Sequence, residues 1–412
     1  MKVWMVNHYA ITPDMPGGTR HFDLSRRLVQ MGHEVTIIAS SFHYSLLKEM
    51  RDYHGNWHLT EVHEGVNFIW MSTPAYAGNG MARIKNMLAF TQGFKKWAKL
   101  QRELPDVIIG STVHPLAAIT AGEFAKPHKI PFIFEIRDLW PQTMIDMGSW
   151  SKNHPASVFF KRVEKQTVKM AKAIIALSPL TKGYLKKEYA FENTHLIPNG
   201  IDLEQFQLRG EQKERSISGL AQLDSIRENA SFLAMFTGAI VKSNNMGLIL
   251  DTAQLLKDQG HDDIHLALVG RGQESDKIKA QVQSRGLTNL HLVDPVPKTQ
   301  VPHLLKRADA LMLVQGMVLW GSMNKLFDYL ASKKPVILAV EAEHNAPIKK
   351  MAGCIPLAQN TAEEFVKTLV SLSKLSETER NAIGESGYHL VRNQHNIKQL
   401  AKDLESSLKS VL

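Results

Sequence analysis

The segment from Asp309 to Ile337 limits the possible folds of this 412-residue chain more than any other stretch. An apolar run from Ala310 to Val314 ends at a glycine, and a loop from Val318 to Met323 leads into a helical pattern, NKLFDYLAS. A Lys-Pro pair ends that pattern, and a second apolar run follows. The order strand, loop, helix, strand is typical of an open parallel sheet.

The start of this helix indicates a binding site for an anion. In a parallel sheet, the helix N-terminus arrives at the carboxyl end of a strand, where its unpaired N–H groups attract phosphate. Ser322 and Asn324 are expected to cap the helix, Lys325 adds a positive charge, and Asp328 can accept hydrogen bonds from sugar hydroxyls. These features outline a nucleotide-sugar site. An ordinary capped amphipathic helix with an exposed lysine and aspartate is the alternative.

Composition indicates a globular α/β protein with two domains. Hydrophobic residues make up 44% of the chain and charged residues 22%, and the length suffices for two cores. The sequence starts directly with a strand pattern and contains no run long enough to span a bilayer, so we expect a cytoplasmic protein. The single cysteine, Cys354, excludes an internal disulfide and a cysteine metal cluster.

The formal net charge of +9 predicts attraction to anionic partners. The densest basic stretch runs from Met81 to Arg102, where apolar and basic residues alternate. That pattern is typical of a helix at a membrane interface, and also of a surface helix packed on its own sheet. A nucleic-acid binder is disfavoured, because aromatic residues are not interleaved with basic ones outside this stretch.

The first half of the chain reads as alternating strands and helices. A helix is expected from Thr19 to Met31, preceded by Gly17 and Gly18, which either let a substrate approach the backbone or serve as turn residues. They lack the spacing of a dinucleotide-binding loop. Later strands end in His114 and in a charged cluster, Glu135, Arg137 and Asp138. Charged side chains at carboxyl strand ends indicate a functional site, with a salt-bridged loop as the alternative.

The segment from Leu203 to Ala230 is polar and lacks strand patterning, so we predict a linker with a short helix there. A second α/β series follows it. In that series, basic residues follow strand ends: Lys242, Arg271 and Lys325. Together they could hold a diphosphate, although each alone is typical of a solvated charge. No Asp-x-Asp pair is present, which predicts phosphate binding without a metal ion.

Several motifs in the same order resemble the bacterial branch of glycosyltransferase family 4. They are PGGTRHFDLSRRLVQMGHEVTIIAS, EIRDLWP, IPNGID, FTGAI followed by a lysine, LVGRG, RADA and NKLFDYLASKKPVI. The likeness is to the N-acetylfucosaminyltransferase-like enzymes of O-antigen and capsule assembly. It implies the GT-B fold, in which two Rossmann-like domains with parallel sheets face each other across a cleft. Residues 1–205 would bind the acceptor, residues 206–395 the nucleotide sugar, and residues 396–412 would cross back to the first domain.

The resemblance also implies roles for individual residues. Catalytic roles fall on Arg137, Asp138, Lys242 and Lys325. Donor binding falls on Gly18, Gly238, Asn245, Arg271, Gly272, Pro295, Val296, Trp320, Ser322, Met323, Asn324 and Asp328. The acceptor side would include His8, Gly17 and His114.

Three positions depart from the family pattern. Ala239 stands where the family has an arginine, and Asn245 where it has a lysine. Counting back from Asp328, Trp320 occupies the place of the carboxylate that meets the donor sugar. Either Trp320 contacts that sugar by stacking, or the register of the loop differs.

The resemblance therefore implies a retaining, metal-independent glycosyltransferase without a cofactor. It would move an N-acetylated amino sugar such as L-FucNAc from a UDP-sugar to a polyprenyl-diphosphate-linked saccharide, at the cytoplasmic face of the inner membrane. Its product would belong to lipopolysaccharide O-antigen or capsule synthesis. The alternatives are a UDP-sugar 2-epimerase of the same fold and a non-catalytic nucleotide-binding partner subunit.

Overall fold

The computed structural model describes residues 1–78, 80–316, 323–340 and 346–412. The chain divides into two compact units. The first unit contains Met1–Asn199 and the C-terminal segment Ile397–Leu412, and the second contains the described residues between Gly200 and Asn396.

In chain order the elements are β1 (Lys2–Val6), α1 (Arg20–Gln30), β2 (Glu34–Ser40), β3 (Phe42–His43), β4 (Lys48–Glu49), β5 (His58–His63), β6 (Val66–Met71), α2 (Met81–Leu100), β7 (Val107–Ser111), α3 (Pro115–Ala125), β8 (Phe132–Ile136), α4 (Gln142–Asp146), α5 (Pro155–Met170), β9 (Ala173–Ala176), α6 (Pro179–Tyr189), β10 (Thr194–Leu196), α7 (Leu203–Glu211), α8 (Ser218–Arg227), β11 (Phe232–Thr237), α9 (Met246–Asp258), β12 (Ile264–Val269), α10 (Ser275–Ser284), β13 (Leu290–Val293), α11 (Val301–Lys306), β14 (Ala310–Gln315), α12 (Asn324–Ala331), β15 (Val336–Val340), α13 (Ala346–Lys349), β16 (Cys354–Pro356), α14 (Ala362–Ser373), α15 (Glu377–Gln394) and α16 (Ile397–Lys409). Short 3-10 helices cover Lys242–Asn244 and Lys298–Gln300.

The first unit is built on one sheet with the strand order β10-β9-β8-β7-β1-β2-β6-β5. Neighbouring strands are parallel except β5 and β6. The central strands are buried apolar runs, as expected for a parallel sheet covered on both faces. Alternate residues of β1 supply two cores: Val3 packs with residues of α1 and α16, and Trp4 with residues of α2 and α3.

The C-terminal helix α16 belongs to the first unit. Its apolar face, which includes Leu400, Leu404 and Leu408, is buried in the core shared with α1. At its polar edge, Glu405 Oε1 lies 2.8 Å from His33 Nε2. The last helix thus packs about 370 residues away in sequence from the α1 region it contacts.

The second unit contains a parallel sheet with the strand order β13-β12-β11-β14-β15-β16. Buried residues of its strands and of α9 and α14 form one apolar core. The prediction of two α/β halves with parallel sheets is confirmed.

The predicted linker from Leu203 to Ala230 is wrong as a description of this segment. It contains two helices, α7 and α8, in the second unit. Leu220 and Leu223 are fully buried, and the Asp202 side chain caps α7 by accepting from Gln205 N. Leu220 and Leu223, three residues apart, pack α8 on the sheet. The polar composition of the segment made this short apolar pattern hard to recognise in the sequence.

Candidate active site

In the second unit, glycines allow the loops that follow β11 and β12, at the carboxyl ends of these strands, to approach closely. Gly238 follows β11 and donates its backbone N–H to Val269 O over 2.9 Å. A Cβ added to Gly270 would lie 2.0 Å from Gly238 O, and one added to Gly272 would lie 2.2 Å from Ile240 O. Because real Cβ atoms do not come so close, only glycine fits at both positions.

Lys325, in the first turn of α12, lies over this glycine loop. Its Nζ is 4.2 Å from the centroid of the Phe236 ring. A Cβ on Gly238 would lie 3.0 Å from the same Nζ. Burial lowers the pKa of Lys325 to about 8. An anion that reached the ammonium group would replace lost hydration and would favour the charged form.

The start of α12 differs from the sequence prediction in its capping. Asn324 is the first residue of the helix and not its cap, and the N-cap residue, Met323, makes no side-chain capping hydrogen bond. Ser322 and Trp320 lie outside the described residues. Methionine has no oxygen to accept from the first-turn N–H groups, so its side chain does not compete with an anion for them. Asp328 lies one turn further on and is half-buried.

Lys242 and Asn245 bracket the short 3-10 helix after β11. Lys242 is exposed. Asn245 has a left-handed backbone conformation with φ of 45°, which asparagine tolerates better than most residues. A Cβ on Gly316, at the end of β14, would lie 3.2 Å from Asn245 Cβ, and Gly316 N donates to Ser243 O. Asn245 therefore packs between the loops that follow β11 and β14.

Arg271 and the loop after β13 border an open cleft of about 700 Å³. This volume lies within the range of small-molecule sites. Arg271 Nη2 donates to Asp294 Oδ1 over 2.7 Å at the surface. Val296 packs against the start of α8, and Pro295 between them is exposed. Of this loop, Asp294 lines the cleft, and its backbone N–H donates to Gln222 Oε1 over 2.9 Å.

The first unit holds a buried polar network centred on Glu135, at the end of β8. Arg20 Nε lies 3.1 Å from Glu135 Oε1, and His21 Nε2 lies 2.6 Å from Glu135 Oε2. Ser111 Oγ donates to Oε2 over 2.5 Å. Burial alone would raise the pKa of Glu135, but His21 and Arg20 hold it well below the ordinary value. The carboxylate is therefore ionised at neutral pH.

Arg20 also connects the network to the end of the first unit. Its guanidinium donates to the carbonyl oxygens of Ile197 and Pro198 over 2.7 and 2.5 Å. The second unit begins shortly after these two residues in the chain, at Gly200. A single buried arginine thus fixes the start of α1, the end of β8 and the segment that leaves the unit.

Arg137 and Asp138 follow Glu135 on the same strand end. Thr112 Oγ1 accepts from Arg137 N over 2.8 Å and donates to Asp138 O over 3.2 Å. Burial raises the pKa of Asp138 to about 6, although the neighbouring Arg137 opposes that shift. Arg137 Nε is buried and, in the described part of the chain, has no hydrogen-bond partner.

His8 and His114 form a buried pair at the ends of β1 and β7. Their Nδ1 atoms are 3.0 Å apart, so one ring donates to the other. Burial lowers the pKa of His8 to about 3 and that of His114 well below its ordinary value. Both rings are neutral, and His8 stacks on Phe90 of α2 at 4.4 Å between centroids.

The glycines before α1 lie in an exposed turn of the first unit. Gly17 has φ of 127°, a conformation that favours glycine, and a Cβ there would lie 3.0 Å from Ile11 Cδ1. Gly18 is exposed. Gly18, which the sequence interpretation assigned to donor binding, belongs to the first unit, and its role stays a prediction.

The sequence interpretation of the site did not include Arg20, His21 or Ser111, and it named Glu135 only as a charged strand end. The arginine and histidine stand directly after the glycine turn, in PGGTRH, which was the available signal. Their partner lies 114 or 115 residues away along the chain. No spacing rule connects positions that far apart.

Two family models match the chain in succession. Residues 17–205 match Glycosyltransferase Family 4, and residues 224–390 match Glycosyl transferases group 1. Together with two Rossmann-like units and glycine loops at the strand ends, these matches place the chain among the glycosyltransferases with the GT-B fold.

Solved structures share this fold over their whole length. Sucrose-phosphate synthase from Thermosynechococcus elongatus has 13% identity and a TM-score of 0.73, covering 99% of this chain and 98% of that one. HepE of Anabaena, solved with UDP and glucose, has 13% identity and a TM-score of 0.68, with complete coverage of both chains. A trehalose-6-phosphate protein from E. coli with bound UDP-2-fluoro glucose has 13% identity and a TM-score of 0.72. No curated protein sequence matches the chain.

Within the described ranges, no helix is long and apolar enough to cross a bilayer. The same part of the chain holds no group of three or more His, Cys, Asp or Glu side chains placed to bind a metal ion.

Proposed function

We propose that this protein is a retaining, metal-independent glycosyltransferase that uses a UDP-sugar as donor. The observation that carries the proposal is the position of Lys325 against Gly238 at the carboxyl end of the second sheet. A diphosphate placed there meets an ammonium group and the N–H groups that begin α12. The neighbours solved with UDP, UDP-glucose or UDP-2-fluoro glucose support UDP as the carrier.

The proposed chemistry is front-side displacement. The bond between the anomeric carbon and the leaving diphosphate breaks, and the acceptor hydroxyl forms the new bond on the same face. Lys325 and Lys242 stabilise the negative charge that develops on the leaving group. The leaving phosphate oxygen takes the proton of the acceptor hydroxyl. Arg137 and Asp138 are assigned to the sugar and the acceptor.

The proposed donor is an N-acetylated amino sugar such as L-FucNAc, and the proposed acceptor is a polyprenyl-diphosphate-linked saccharide of O-antigen or capsule synthesis. The motif order of the chain supports this choice. The exposed face of α2 adds a physical argument, because it carries Met81, Ile84 and Leu88 beside basic residues. Such a face suits an acceptor that is held at a membrane surface.

The test is a product analysis with purified protein. A panel of UDP-N-acetylhexosamines, UDP-L-FucNAc included, is incubated with a lipid-linked N-acetylglucosamine acceptor, and products are identified by mass spectrometry. The expected result is one glycosylated lipid and UDP, formed also in the presence of EDTA. Consumption of a UDP-sugar to give its epimer without acceptor would instead establish the 2-epimerase. Nucleotide binding without any turnover would establish the non-catalytic subunit.

Substitution of Lys325 tests the site itself. Lys325→Ala is expected to lower turnover about 100-fold, as loss of a main electrostatic contact does. Lys334→Ala is the matched control, since Lys334 is also partly buried but follows the other end of α12. Full activity of Lys325→Ala would contradict the assignment.

A further inference from the structure

The turn that precedes α1 is supported by the hairpin of β3 and β4. Residues 12–18, TPDMPGG, lie between the loop after β1 and the start of α1, and we call them the glycine turn. Met15 is buried in the core, whereas Pro16, Gly17 and Gly18 are exposed. Two glycines in succession leave the backbone a wide range of conformations, so the exposed part needs a further contact to hold one of them.

His43 of the hairpin provides that contact. It is 2% exposed, and its Nε2 lies 2.7 Å from Pro16 O. Its Nδ1 accepts from Leu46 N over 3.2 Å and lies 3.1 Å from Ser45 Oγ. Because a backbone N–H can only donate, Nδ1 carries no proton, and the proton on Nε2 is the one donated to Pro16 O.

This hydrogen bond sets the orientation of the peptide group between Pro16 and Gly17. In a trans peptide the C=O and N–H groups point in opposite directions, so a carbonyl held towards His43 turns the Gly17 N–H away from the hairpin. Gly17 has φ of 127°, a conformation that favours glycine. Without the histidine, the glycine would put little resistance in the way of a rotation of this peptide.

The hairpin that carries His43 is itself anchored in the core. At its base, Glu49 Oε1 accepts from Ser41 Oγ and, over 2.9 Å, from Met50 N. Ser41 Oγ also lies 2.6 Å from the hydroxyl of Tyr53, which belongs to the core around α1. His43 therefore projects from a rigid support, as a residue that positions a binding group must.

Arg51, which follows the hairpin, fixes the first half of the glycine turn. Its Nη2 lies 3.0 Å from Asp14 Oδ2 and donates to Thr12 Oγ1 over 3.2 Å. Its Nε donates to both carboxylate oxygens of Glu61 on β5, over 3.0 and 3.1 Å. Its guanidinium lies 5.4 Å from the centroid of the Trp70 ring on β6. One arginine thus ties the turn to the sheet, and one histidine ties it to the hairpin.

The glycine turn lies beside the candidate acceptor residues. It follows β1 and His8, and it leads into α1, where Arg20 pairs with Glu135 at the end of β8. Strands β1, β7 and β8 are parallel neighbours in one sheet, so their carboxyl ends share one edge. That edge also carries His114 and Asp138, which follow β7 and β8.

We propose that His43 is a positioning residue for the acceptor. By donating to Pro16 O, it holds the peptide between Pro16 and Gly17 in the orientation that contacts the acceptor, and it does not touch the acceptor itself. This role goes beyond the proposed function and rests on it, because the glycine turn has an acceptor to contact only if the protein is a transferase.

Two substitutions separate the two contacts of the histidine. The side-chain amide of asparagine reaches about as far as Nδ1 of histidine, and the amide of glutamine reaches about as far as Nε2. His43→Asn therefore keeps an acceptor for Leu46 N and loses the donor to Pro16 O. His43→Gln keeps the donor to Pro16 O and loses the acceptor for Leu46 N.

The kinetic experiment uses the lipid-linked acceptor of the product analysis at saturating UDP-sugar. For His43→Asn we expect kcat/KM for the acceptor to fall about tenfold, as misplacement of a binding group does. UDP affinity should be unchanged, because Lys325 and its neighbours belong to the second unit. His43→Gln should stay close to wild type. Equal losses in both variants, a larger loss in His43→Gln or no loss in His43→Asn would overturn the proposal.

Hydrogen–deuterium exchange supplies a measurement that does not depend on transfer. Residues 12–18 should exchange faster in His43→Asn than in wild type, whereas residues 43–47 should exchange faster in His43→Gln. Equal exchange of the turn in all three proteins contradicts the positioning role. If the wild type transfers no sugar, the transferase is wrong, and exchange still decides whether His43 holds the turn. If transfer occurs and His43→Asn is fully active, the transferase stands and the positioning role is wrong.

Discussion

Lys325 Nζ lies 4.2 Å from the centroid of the Phe236 ring, and a Cβ added to Gly238 would lie 3.0 Å from the same nitrogen. The aromatic face partly compensates the lost hydration of the ammonium group, and its quadrupole favours the charged form. Burial nevertheless lowers the pKa to about 8. The group is therefore cationic at neutral pH and titrates just above it.

This titration predicts a pH dependence of nucleotide binding. As pH rises through about 8, the free protein loses the charge of Lys325, so affinity for UDP should fall by about tenfold between pH 7 and pH 9.5. Binding near pH 8 should be accompanied by proton uptake, because a diphosphate raises the pKa of the lysine. Isothermal titration calorimetry in buffers of different ionisation enthalpy measures both. A Lys325→Met variant should bind weakly at every pH, and an unchanged wild-type affinity at pH 9.5 would refute the assignment.

A side chain at position 272 is expected to clash with its neighbours, although the backbone conformation there is one that other residues can adopt. Its φ is not positive, yet a Cβ would lie 2.2 Å from Ile240 O. Gly272→Ala should lower the free energy of unfolding by about 2–4 kcal/mol or displace the loop and abolish donor binding. Gly247→Ala is the matched control, because the nearest atom to its added Cβ is 3.9 Å away and the position is in the first turn of α9. That change should be neutral or slightly stabilising in a urea titration.

Substitution of Glu135 is expected to lower the free energy of unfolding, and the size of that loss should depend on pH. Glu135→Gln leaves the buried Arg20 without its carboxylate and should cost about 3–5 kcal/mol at pH 7. Because the pKa of Glu135 is depressed in the folded state, its contribution is present above the unfolded pKa near 4.5 and is lost as pH falls below that value.

The wild type and Glu135→Gln should therefore converge in stability as pH falls from 5 towards 3, as measured by urea unfolding. Glu123→Gln removes an exposed ion pair with Lys95 and should cost about 1 kcal/mol or less. Equal effects of the two substitutions at pH 7 would show that the buried network contributes nothing beyond a surface pair.

For Asp138 we predict the opposite effect, because ionisation of its carboxyl group lowers the stability of the folded protein. Its pKa is raised to about 6, so between about 4 and 6 the unfolded chain ionises this carboxyl before the folded chain does, and ionisation costs stability as pH rises. Asp138→Asn should raise the melting temperature relative to wild type at pH 7.5 and by less at pH 4. It should also reduce transfer if the group contacts substrate. Asp262→Asn, at an exposed position, should leave both quantities unchanged.

The fold could be predicted because the sequence patterns of its strands and helices each extend over only a few residues. Strands such as VIIGS and FIFEI are continuous apolar runs, and amphipathic helices separate them, so two parallel sheets follow from short windows of sequence. The prediction for the segment around α8 was wrong for the same reason, because it too was based on a short window of sequence. This helix buries only Gly219, Leu220 and Leu223, and the polar and charged residues around them conceal that short apolar pattern.

The candidate site could be predicted only in outline. Lys325 and Gly238 stand at strand ends, and strand ends of a parallel sheet are where ligands bind. The sequence predicted a helix that begins at Asn324, but it named Ser322 and Asn324 as the capping residues, and it did not indicate a pKa of Lys325 near 8. Both depend on which backbone and ring surround the start of α12.

The sequence by itself determined the fold class, the division into two α/β halves and the positions of the basic residues that follow strand ends, because periodicity and turn residues act over a few positions. Tertiary structure alone decided that Arg20, His21 and Ser111 share one buried network with Glu135. Burial and electrostatics depend on neighbours more than 100 residues away in the chain. Those neighbours are defined only when the strands align in the sheet.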